Sequence, residues 1–593
     1  LGATPSGANL LSLTEYDAAG RKSYDWLPFP SSSEWLPCQS ARSAAQSYYG
    51  GAQERPHVHH AYEPSPLGRP TVQSGPGQAW TGHPDSRASY GSNSSSGALS
   101  CRHYAVGPDG TLSDSGPYAA GELAVTRVED ADGRVSYVFA DRLGRRLLER
   151  RSDGAGGFAD TYYVYDDLGR LRYVLPPGCT DLSAATLGRY AYQYRYDGRG
   201  RCVWKKLPGC DAVEQVYDRG GRLAFRRDGV QRESGEWTFY RYDALGRPIA
   251  EGTCRNAEAP DMSERQATCR LYVPLDEADL RGALLLGSVG IPKGELAEGR
   301  VERVWFYDTY DFLDYAEFSD RTLFPQAGHG AYGLATGGLE LSEDGVVLAS
   351  AAYYDGLGRA VRECGTNHLG GYDVVETSYT FTGQPSLSTH RSVDGRLRRS
   401  AEGYLLQNLP MEDMSVSYFY DYDHAGRLVR TRCLPGNLPA SFVKTLVEQG
   451  YDELGRLSWK RFHGSDSLRV DYSYNLRGWL TGIESGYFCQ QLEYAEGPSP
   501  EYGGNVSRVR WQTSPGSPGT GYGYSYAYDG LNRLVLAQSL DSRGSSTVIA
   551  HNHSAWYGYD AMGNVTSVVR NGLLRPAFNF GRVDELSLEY DGN

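Results

Sequence analysis

Tyr165-Asp166-Asp167-Leu168-Gly169-Arg170 is the stretch of sequence that decides the fold. Its first Asp can accept hydrogen bonds from backbone N–H groups just ahead of it, and its Gly can adopt a positive φ. The motif therefore predicts a type I turn closed by a glycine bulge. The flanking segments 161–165 and 171–175 alternate as strands do, and the alternation predicts Tyr on one face with Val or Leu on the other. Each copy thus predicts one β-hairpin.

The same motif returns along the chain with a spacing that suits hairpins. The Tyr residues at 165, 196, 217 and 242 are 31, 21 and 25 residues apart, which leaves room for two short strands and their connections. Self-similarity at such an interval indicates a repeat architecture. Full or degenerate copies also begin at Tyr16, Tyr354, Tyr422, Tyr474, Tyr528, Tyr559 and Tyr590. Three copies represent the predicted turn signature: Tyr165, Asp166, Gly169, Arg170, Tyr242, Asp243, Gly246, Arg247, Tyr451, Asp452, Gly455 and Arg456.

These repeats carry a family resemblance. The run of Tyr-Asp-x-x-Gly-Arg motifs resembles the YD repeats of bacterial Rhs proteins and animal teneurins, and residues 474–483 and 502–507 look like the bacterial branch. The segments Trp26-Leu27-Pro28 and 65–70 are similar to the uncharacterised domain that precedes the repeats in some of those proteins. The resemblance implies an all-β fold, in which a YD-repeat hairpin array forms a spiralling sheet. That sheet would be a cocoon-like shell, incomplete in this stretch of chain.

The breaks in the repeat pattern suggest a domain organisation. We interpret residues 1–125 as an N-terminal Rhs-associated region with early repeat copies and a loop-rich insertion at 85–117. Residues 126–593 form the predicted YD-repeat shell, interrupted by non-repeat insertions near 251–300 and 318–345. Glycines between 318 and 341 suggest a long connection there. Helical periodicity is nearly absent, and residues 276–286 are its best candidate.

The resemblance also implies a function. The shell would encapsulate and deliver a secreted or contact-dependent bacterial toxin, as polymorphic toxins of interbacterial competition do. Its partners would be a C-terminal toxin domain of the same polypeptide, encoded downstream, and secretion machinery, and its location would be secreted or at the cell surface. The alternative is a cell-surface adhesion or carbohydrate-binding repeat protein, in which Trp479, Trp511 and Trp556 stack on sugars.

Composition narrows the classes of partner. The 59 Lys and Arg against 72 Asp and Glu give a net charge of -13 with no basic block, which argues against nucleic acid. No apolar run approaches the roughly 18 residues of a membrane span. The ten cysteines show neither C-x-x-C nor zinc-finger spacing, so dispersed thiols or occasional disulfides are expected.

The sequence predicts no enzyme, no cofactor and no metal site. Catalytic residues are normally unique, whereas the motif Asp recurs eleven times along the chain, and no hydrolase, metalloprotease or phosphate-binding motif occurs. His57-Val58-His59-His60 lacks Cys and carboxylate partners at ligand spacing, and its flanking prolines suggest a loop. His551-Asn552-His553 is interpreted as a solvated strand or loop.

Overall fold

The computed structural model describes residues 4–218, 220–255, 300–328, 330–342, 345–393, 413–436, 438–513, 521–543, 546–549, 552–574 and 579–592. Within these ranges the chain is nearly all β, and helix accounts for 9%. The predicted all-β repeat fold is confirmed. The helix candidate at 276–286 and most of the expected insertion at 251–300 lie outside the described residues.

The strands of the first half are short. In chain order they are β1 (Asn9–Leu11), β2 (Thr14–Tyr16), β3 (Lys22–Trp26), β4 (Phe29–Ser31), β5 (His57–Tyr62), β6 (Pro70–Ser74), β7 (Ser86–Ser92), β8 (Arg102–Val106), β9 (Leu112–Pro117), β10 (Ala124–Asp130), β11 (Val135–Ala140), β12 (Arg146–Ser152), β13 (Phe158–Tyr165), β14 (Leu171–Leu175), β15 (Tyr192–Tyr196), β16 (Cys202–Lys206), β17 (Val213–Tyr217), β18 (Leu223–Arg227), β19 (Glu236–Tyr242) and β20 (Pro248–Arg255).

The strands of the second half are longer on the whole. They are β21 (Arg300–Asp308), β22 (Ala331–Leu341), β23 (Val347–Tyr354), β24 (Ala360–Thr366), β25 (Tyr372–Tyr379), β26 (Pro385–Val393), β27 (Asp413–Tyr422), β28 (Leu428–Pro435), β29 (Lys444–Tyr451), β30 (Leu457–Phe462), β31 (Arg469–Tyr474), β32 (Leu480–Ser485), β33 (Phe488–Glu493), β34 (Arg508–Thr513), β35 (Gly521–Tyr528), β36 (Leu534–Arg543), β37 (Ser546–Ile549), β38 (Ala555–Tyr559), β39 (Val565–Leu574) and β40 (Asn579–Ser587). Three α-helices occur among the residues that the structure describes: α1 (Cys38–Tyr48), α2 (Ala184–Tyr190) and α3 (Gly229–Ser234).

One antiparallel sheet runs through almost the whole chain. It begins with β2, β3, β5, β6, β7 and β10 in that order. From β10 onward each strand pairs with its successor, except that β36 pairs with both β37 and β38 before β39 and β40 complete the order. Among the described strands no ladder joins β2 to β40, so the sheet has two free edge strands. Two small sheets, β1 with β4 and β8 with β9, lie beside it.

The sheet has two different rims, because antiparallel strands reverse direction at each connection. The turn rim carries motif turns at 17–21, 141–145, 166–170, 197–201, 243–247, 355–359, 423–427, 452–456, 475–479, 529–533 and 560–564. It also carries the turn 380–384, which has the same backbone hydrogen bonds but Thr380 and Gln384 in place of Asp and Arg. The connection rim carries the links between hairpins, which include 75–85, 131–134, 153–157, 176–191, 228–235, 367–371, 463–468 and 486–487.

Among the described residues, the apolar cores lie where a segment covers the sheet. The largest lies under the segment 309–330 that joins β21 to β22, where Phe312, Phe318 and Phe324 are each at most 1% exposed and pack with sheet residues such as Phe239 and Val304. Smaller cores lie under α1 and under the β8–β9 hairpin. The rest of the sheet is half-buried, as expected for a thin wall.

Two local expectations from the sequence are wrong. Residues 85–117 are not mainly loop, since they contain β7, β8 and β9. The glycine-rich stretch 318–345 is partly the strand β22, in which a side chain at Gly337 would meet Phe312, 2.5 Å away, and a side chain at Gly338 would meet the Val304 carbonyl, 2.9 Å away. The glycines there permit close packing rather than a loop.

The faces of the sheet also differ from the expected pattern. In the hairpin of β13 and β14, Tyr162 pairs with Leu175 and Tyr163 pairs with Val174. Because directly paired residues share a face, both faces carry Tyr together with aliphatic side chains. Tyrosine is therefore not segregated to one side of the wall.

Candidate functional site: the repeat turns and the seam

The turn at Asp166 shows how a single motif closes a hairpin. The Asp166 carboxylate accepts hydrogen bonds from the backbone N–H groups of Leu168 (3.1 Å) and Arg170 (2.9 Å), and from the Arg170 Nε (2.8 Å). The Gly169 N–H donates to the Asp166 carbonyl (2.8 Å), and Gly169 has a φ of 76°. The register slips by one residue at Tyr165, which is a β-bulge.

The electrostatics of this turn favour an ionised Asp. Burial by itself would raise the pKa of the Asp166 carboxyl, but the hydrogen bonds from the Arg170 backbone and guanidinium outweigh it. The pKa therefore lies below its ordinary value. The turns at Asp243 and Asp452 repeat the same contacts with Arg247 and Arg456, and Gly246 and Gly455 have φ values of 84° and 81°. The residues of the predicted signature are brought together turn by turn, not into one common site.

The Tyr and Arg of the motif connect one hairpin to the next. The Tyr242 hydroxyl donates to the Leu223 carbonyl (2.9 Å), and the Tyr451 hydroxyl donates to the Leu428 carbonyl (2.8 Å). Each acceptor lies just after the preceding turn, so the hydroxyl ties consecutive repeats together.

The guanidinium groups continue this connection. Arg170 Nη1 donates to the carbonyl of Asp197 in the next turn (3.1 Å), and Arg145 lies 5.4 Å from the centre of the Tyr165 ring. Each of these arginines pairs with the carboxylate of the Asp in its own turn. Arg170 also reaches the backbone of the following turn, a role that the motif spacing alone does not reveal.

One turn is modified by the Phe-rich segment 309–330. Arg247 forms a two-fold hydrogen-bonded ion pair with Asp308 (2.9 and 2.7 Å), which ends β21 with a φ of 68°. The Asp308 carboxylate also accepts from the Gly333 N–H (2.6 Å). Asp308 thus keeps the acceptor role of a motif Asp although its turn has been replaced by a long covering segment.

The two rims meet in a seam. The N-terminal segment and the connection rim of residues up to 190 touch the turn rim of residues after 450. In the chain order of the turn-rim residues, the pairs are Ser6 with Glu453, Asp85 with Arg477, Trp80 with Trp479, Arg134 with Glu501 and Asp529, Gly178 with Met562, and Arg189 with Asp591. Hydrogen-bonded partners are 367 to 447 residues apart. Both sides advance in the same chain direction, so the sheet spirals and its second winding lies against its first.

The centre of the seam is a buried ion-pair cluster. Arg134 donates to Asp132 (2.6 Å) and to Glu501 (2.8 Å), and the three side chains are 14%, 6% and 8% exposed. The Asp132 carboxylate also accepts from the backbone N–H groups of Tyr502 and Gly503 at 2.5 and 3.0 Å. Each buried charge is therefore paired or hydrogen-bonded, which a stable buried cluster requires.

Aromatic side chains flank this cluster. His83 stacks on Tyr502 with ring centres 3.6 Å apart, and the Trp80 Nε1 donates to the Tyr502 carbonyl (3.0 Å). Trp479 packs edge-on against Trp80, and Arg477 lies over both rings. The two stretches that resemble bacterial Rhs proteins, 474–483 and 502–507, both contribute to this seam.

A polar cavity of about 600 Å³ lies in the seam. It is lined by groups of both signs, including Arg87, Glu129, Asp130, Arg134 and Glu501. This cavity is in the wall and is not the large internal space expected of a shell, which stays a prediction.

The histidines and cysteines that the sequence singled out do not form a reactive or metal-binding cluster among the described residues. His57-Val58-His59-His60 lies in the strand β5, so the expected loop there is wrong. No group of His, Cys, Asp or Glu side chains suited to a metal ion occurs among the described residues. None of the nine cysteines in the described ranges forms a disulfide bond. His551 lies outside the described residues, and His553 is in a turn.

The tryptophans proposed to stack on sugars are not freely presented. Trp479 is part of the seam, and Trp511 packs against Tyr522 and Tyr524. Trp479, Trp511 and Trp556 are all half-buried. In the described part of the chain no helix is both long and apolar enough to cross a bilayer.

Comparison with known proteins places the fold. Residues 1–93 match a family described as a domain of unknown function, DUF6443. The crystal structure of TcdB2-TccC3 superposes with a TM-score of 0.58 at 14% identity, over 96% of this chain and 24% of that one. The chain has the fold of part of TcdB2-TccC3.

Two further structures give the same result. TcdB2-TccC3-Cdc42 matches with a TM-score of 0.54, and TcdB2-TccC3 without its hypervariable C-terminal region with 0.53, each at 14% identity. The first match includes 96% of this chain and 24% of the other chain, and the second includes 94% of this chain and 23% of the other. The chain thus spans about a quarter of the chains it resembles. No curated protein matches it by sequence.

Proposed function

We propose that this chain is a wall segment of a toxin-encapsulating shell of the bacterial Rhs/YD-repeat type. The observation that carries the proposal is the seam, because a sheet whose second winding docks on its first has a side that faces inward. Motif turns close the hairpins, and the hydrogen bonds of the motif Tyr and Arg hold each hairpin against its neighbour in the sheet. These are properties of a container wall rather than of a reactive site.

The cargo in this proposal is a toxin domain downstream in the same polypeptide. One of the structures of similar fold is described as lacking a hypervariable C-terminal region. A constant wall with a variable C-terminal cargo is the arrangement that we infer for this chain. The proposal includes secretion or surface display with the help of secretion machinery, a role in competition between bacteria, and no reaction catalysed by the wall itself.

Protease protection of the downstream segment tests the proposal. The natural full-length polypeptide is treated with a nonspecific protease, and the segment that follows residue 593 is followed by mass spectrometry. We expect this segment to be protected in the wild type and digested in Arg134→Glu, which places a third acid in the seam cluster. Arg151→Glu is the matched control, because that side chain is 61% exposed and pairs on the surface with Glu149.

Two outcomes would contradict the shell. A downstream segment that is digested equally in all three proteins is not enclosed. Binding of the intact wild type to a glycan array, abolished by alanine at Trp511 or Trp556, would favour adhesion instead. A protected segment that becomes accessible only in Arg134→Glu supports encapsulation.

A further inference from the structure

Two histidines of β5 pack against aromatic side chains of β3. Trp26 pairs directly with His57, and Tyr24 pairs directly with His59, so the four side chains share one face of the sheet. The His57 ring centre lies 4.8 Å from that of Trp26 and 5.1 Å from that of Tyr24. The His59 ring centre lies 4.9 Å from that of Tyr24. Both imidazoles are half-buried, and the buried Nδ1 of His57 has no hydrogen-bond partner among the described residues. This packing therefore provides no acceptor for a proton on that atom.

The charged groups around these imidazoles also oppose protonation. Arg55 lies close to both histidines, and Arg42 of α1 lies close to His57. The carboxylate near His57 is that of Glu15, and it is already hydrogen-bonded. It accepts from the Trp26 Nε1 (2.7 Å) and from Nε and Nη2 of Arg42 (3.2 and 2.8 Å). An imidazolium at this place would therefore stand beside cations, next to a carboxylate that already has its partners.

The pKa values of both imidazoles are lowered from the ordinary value of 6.5. Burial is the main cause because it disfavours the charged form, and Arg55 adds to it. His57 also lies near His59, and His59 lies near His60, which is itself 3.4 Å from the Asp25 carboxylate. The packed state thus binds a proton less readily than a loosened one. Its stability is complete above about pH 6.5 and falls as the pH drops below that value.

The start of β5 holds the loop that carries Trp80 into the seam. The Arg55 carbonyl accepts from the His57 N–H (2.8 Å) and from the Gly77 N–H (3.2 Å). The Arg55 Nη1 donates to the Thr81 hydroxyl (3.0 Å). Gly77 and Thr81 flank Trp80, whose ring lies in the seam. A change in the position of residues 55–57 is therefore passed directly to a seam contact.

We propose that protonation of His57 and His59 releases the seam contact of Trp80, so that this end of the seam is a pH-sensitive latch. Charged imidazoles are costly where they are half-buried beside cations, so they move away from the aromatic rings toward water. The first residues of β5 move with them and withdraw the two Arg55 contacts from the loop 77–81. The release is local, because the ion-pair cluster of Arg134 holds another part of the seam. The latch is a property of the seam itself and does not depend on what the wall encloses.

Hydrogen exchange of the natural full-length polypeptide tests the proposal at about pH 7.5 and about pH 5.5, which bracket the ordinary pKa of histidine. Labelling times are scaled so that intrinsic exchange is equal at the two pH values. We expect the amides of residues 57–62 and 77–81 to lose protection severalfold at the lower pH and to regain it on return to the higher one.

Two double variants remove the titrating groups. His57→Phe with His59→Phe keeps aromatic packing but cannot take up a proton, so its amides should stay protected at both pH values. His57→Gln with His59→Gln is polar and does not titrate, and it should likewise show no difference between the two pH values. Melting temperatures at the higher pH show whether each variant folds.

Two other histidines are the matched controls. His83 lies in the seam, where it stacks on Tyr502, and His103 of β8 stacks on Tyr118 with ring centres 4.3 Å apart. Because neither belongs to the latch, His83→Phe and His103→Phe should lose protection at residues 77–81 as the wild type does.

Three results would overturn the latch. They are equal protection of residues 77–81 at both pH values in the wild type, a loss that persists in both double variants, and a loss that His83→Phe prevents. Loss of protection throughout the sheet, with β23 and β24 included, would show global unfolding and would overturn it as well. The protease experiment on the downstream segment is carried out at neutral pH, so its outcome is decided separately.

Discussion

At the scale of single residues, each motif turn depends on two side-chain types with different tasks. The Asp supplies acceptors for backbone N–H groups that a tight turn leaves without strand partners. The Gly supplies a left-handed conformation that a residue with a Cβ adopts at a cost. Both tasks are local, which explains why a six-residue pattern is enough to locate the turns.

Gly169→Val should destabilise its hairpin by about 1 to 2 kcal/mol. At a φ of 76° a β-branched residue is strained, and its Cβ would meet the Arg145 Nη1 at 3.3 Å. Hydrogen exchange of the amides in β13 and β14 measures the effect. Gly198→Val is the matched control, because Gly198 lies in a motif turn without a positive φ and has no atom within 4 Å of its Cβ position. Equal protection in both variants would contradict the role of Gly169.

The free energy of unfolding should fall as the pH drops below about 4. The pKa values of the Asp166, Asp197 and Asp423 carboxyls are lowered: burial opposes the shift, and hydrogen bonds from the arginine four residues ahead outweigh burial. Their stabilising contribution is complete above the unfolded pKa of about 3.9 and is lost as the pH falls through the lower folded values. Urea unfolding between pH 7 and pH 2 tests this.

Asp166→Asn provides the control for the pH experiment. Asn475 already occupies the motif position in its own turn and accepts from the Arg477 and Trp479 N–H groups, both at 3.0 Å. The amide at 166 should therefore keep the turn while removing one titrating group. A variant with the full wild-type pH dependence would show that Asp166 does not contribute.

At the scale of the hairpin, side chains of one repeat hydrogen-bond to the backbone of the preceding repeat. Tyr242→Phe removes the hydroxyl that donates to the Leu223 carbonyl and should cost about 0.5 to 1.5 kcal/mol in unfolding free energy. Tyr16→Phe should cost less, since Tyr16 is 61% exposed. Equal effects of the two substitutions in chemical denaturation would argue against the inter-repeat bond.

The covering segment 309–330 is the element with the largest packing contribution. Phe318 is fully buried and contacts the rings of Phe306, Phe312 and Phe324. Phe318→Ala should reduce the unfolding free energy by about 3 to 5 kcal/mol because it leaves a cavity. Phe381→Ala, at a fully exposed position, should leave it nearly unchanged. Similar losses in thermal denaturation would contradict the assignment of this core.

At the scale of the whole molecule, the seam joins the second winding of the sheet to the first. Arg134→Ala leaves Asp132 and Glu501 buried without their cation and should cost about 3 to 5 kcal/mol. Glu501→Gln should cost less, because Asp132 still pairs with Arg134. Small-angle scattering should show expansion in Arg134→Ala as the second winding separates from the first. An unchanged scattering profile together with unchanged stability would mean that the cluster does not hold the windings together.

The sequence by itself determined the hairpin, the turn and the all-β repeat fold, because these depend on residues within about six positions of one another. It did not predict α1, the Phe-rich cover over β19 to β24 or the strand at 57–62. Those elements are stabilised by partners that are distant in the chain, so local pattern carries little information about them.

Only the tertiary structure decided the roles of the motif Tyr and Arg, and the existence of the seam. Arg134 ends an Asp130-Ala131-Asp132-Gly133-Arg134 turn in which Glu129 stands at the place of the motif Tyr, and neither Asp132 nor Glu501 is a motif position. The three side chains form one cluster because the curvature accumulated over about 370 residues brings two rims together. Curvature is the sum of small twists at every strand pair. A sequence repeat determines how each hairpin pairs with the next, but it does not determine the summed curvature of the sheet. The residues at which the two windings meet therefore follow only from the complete fold.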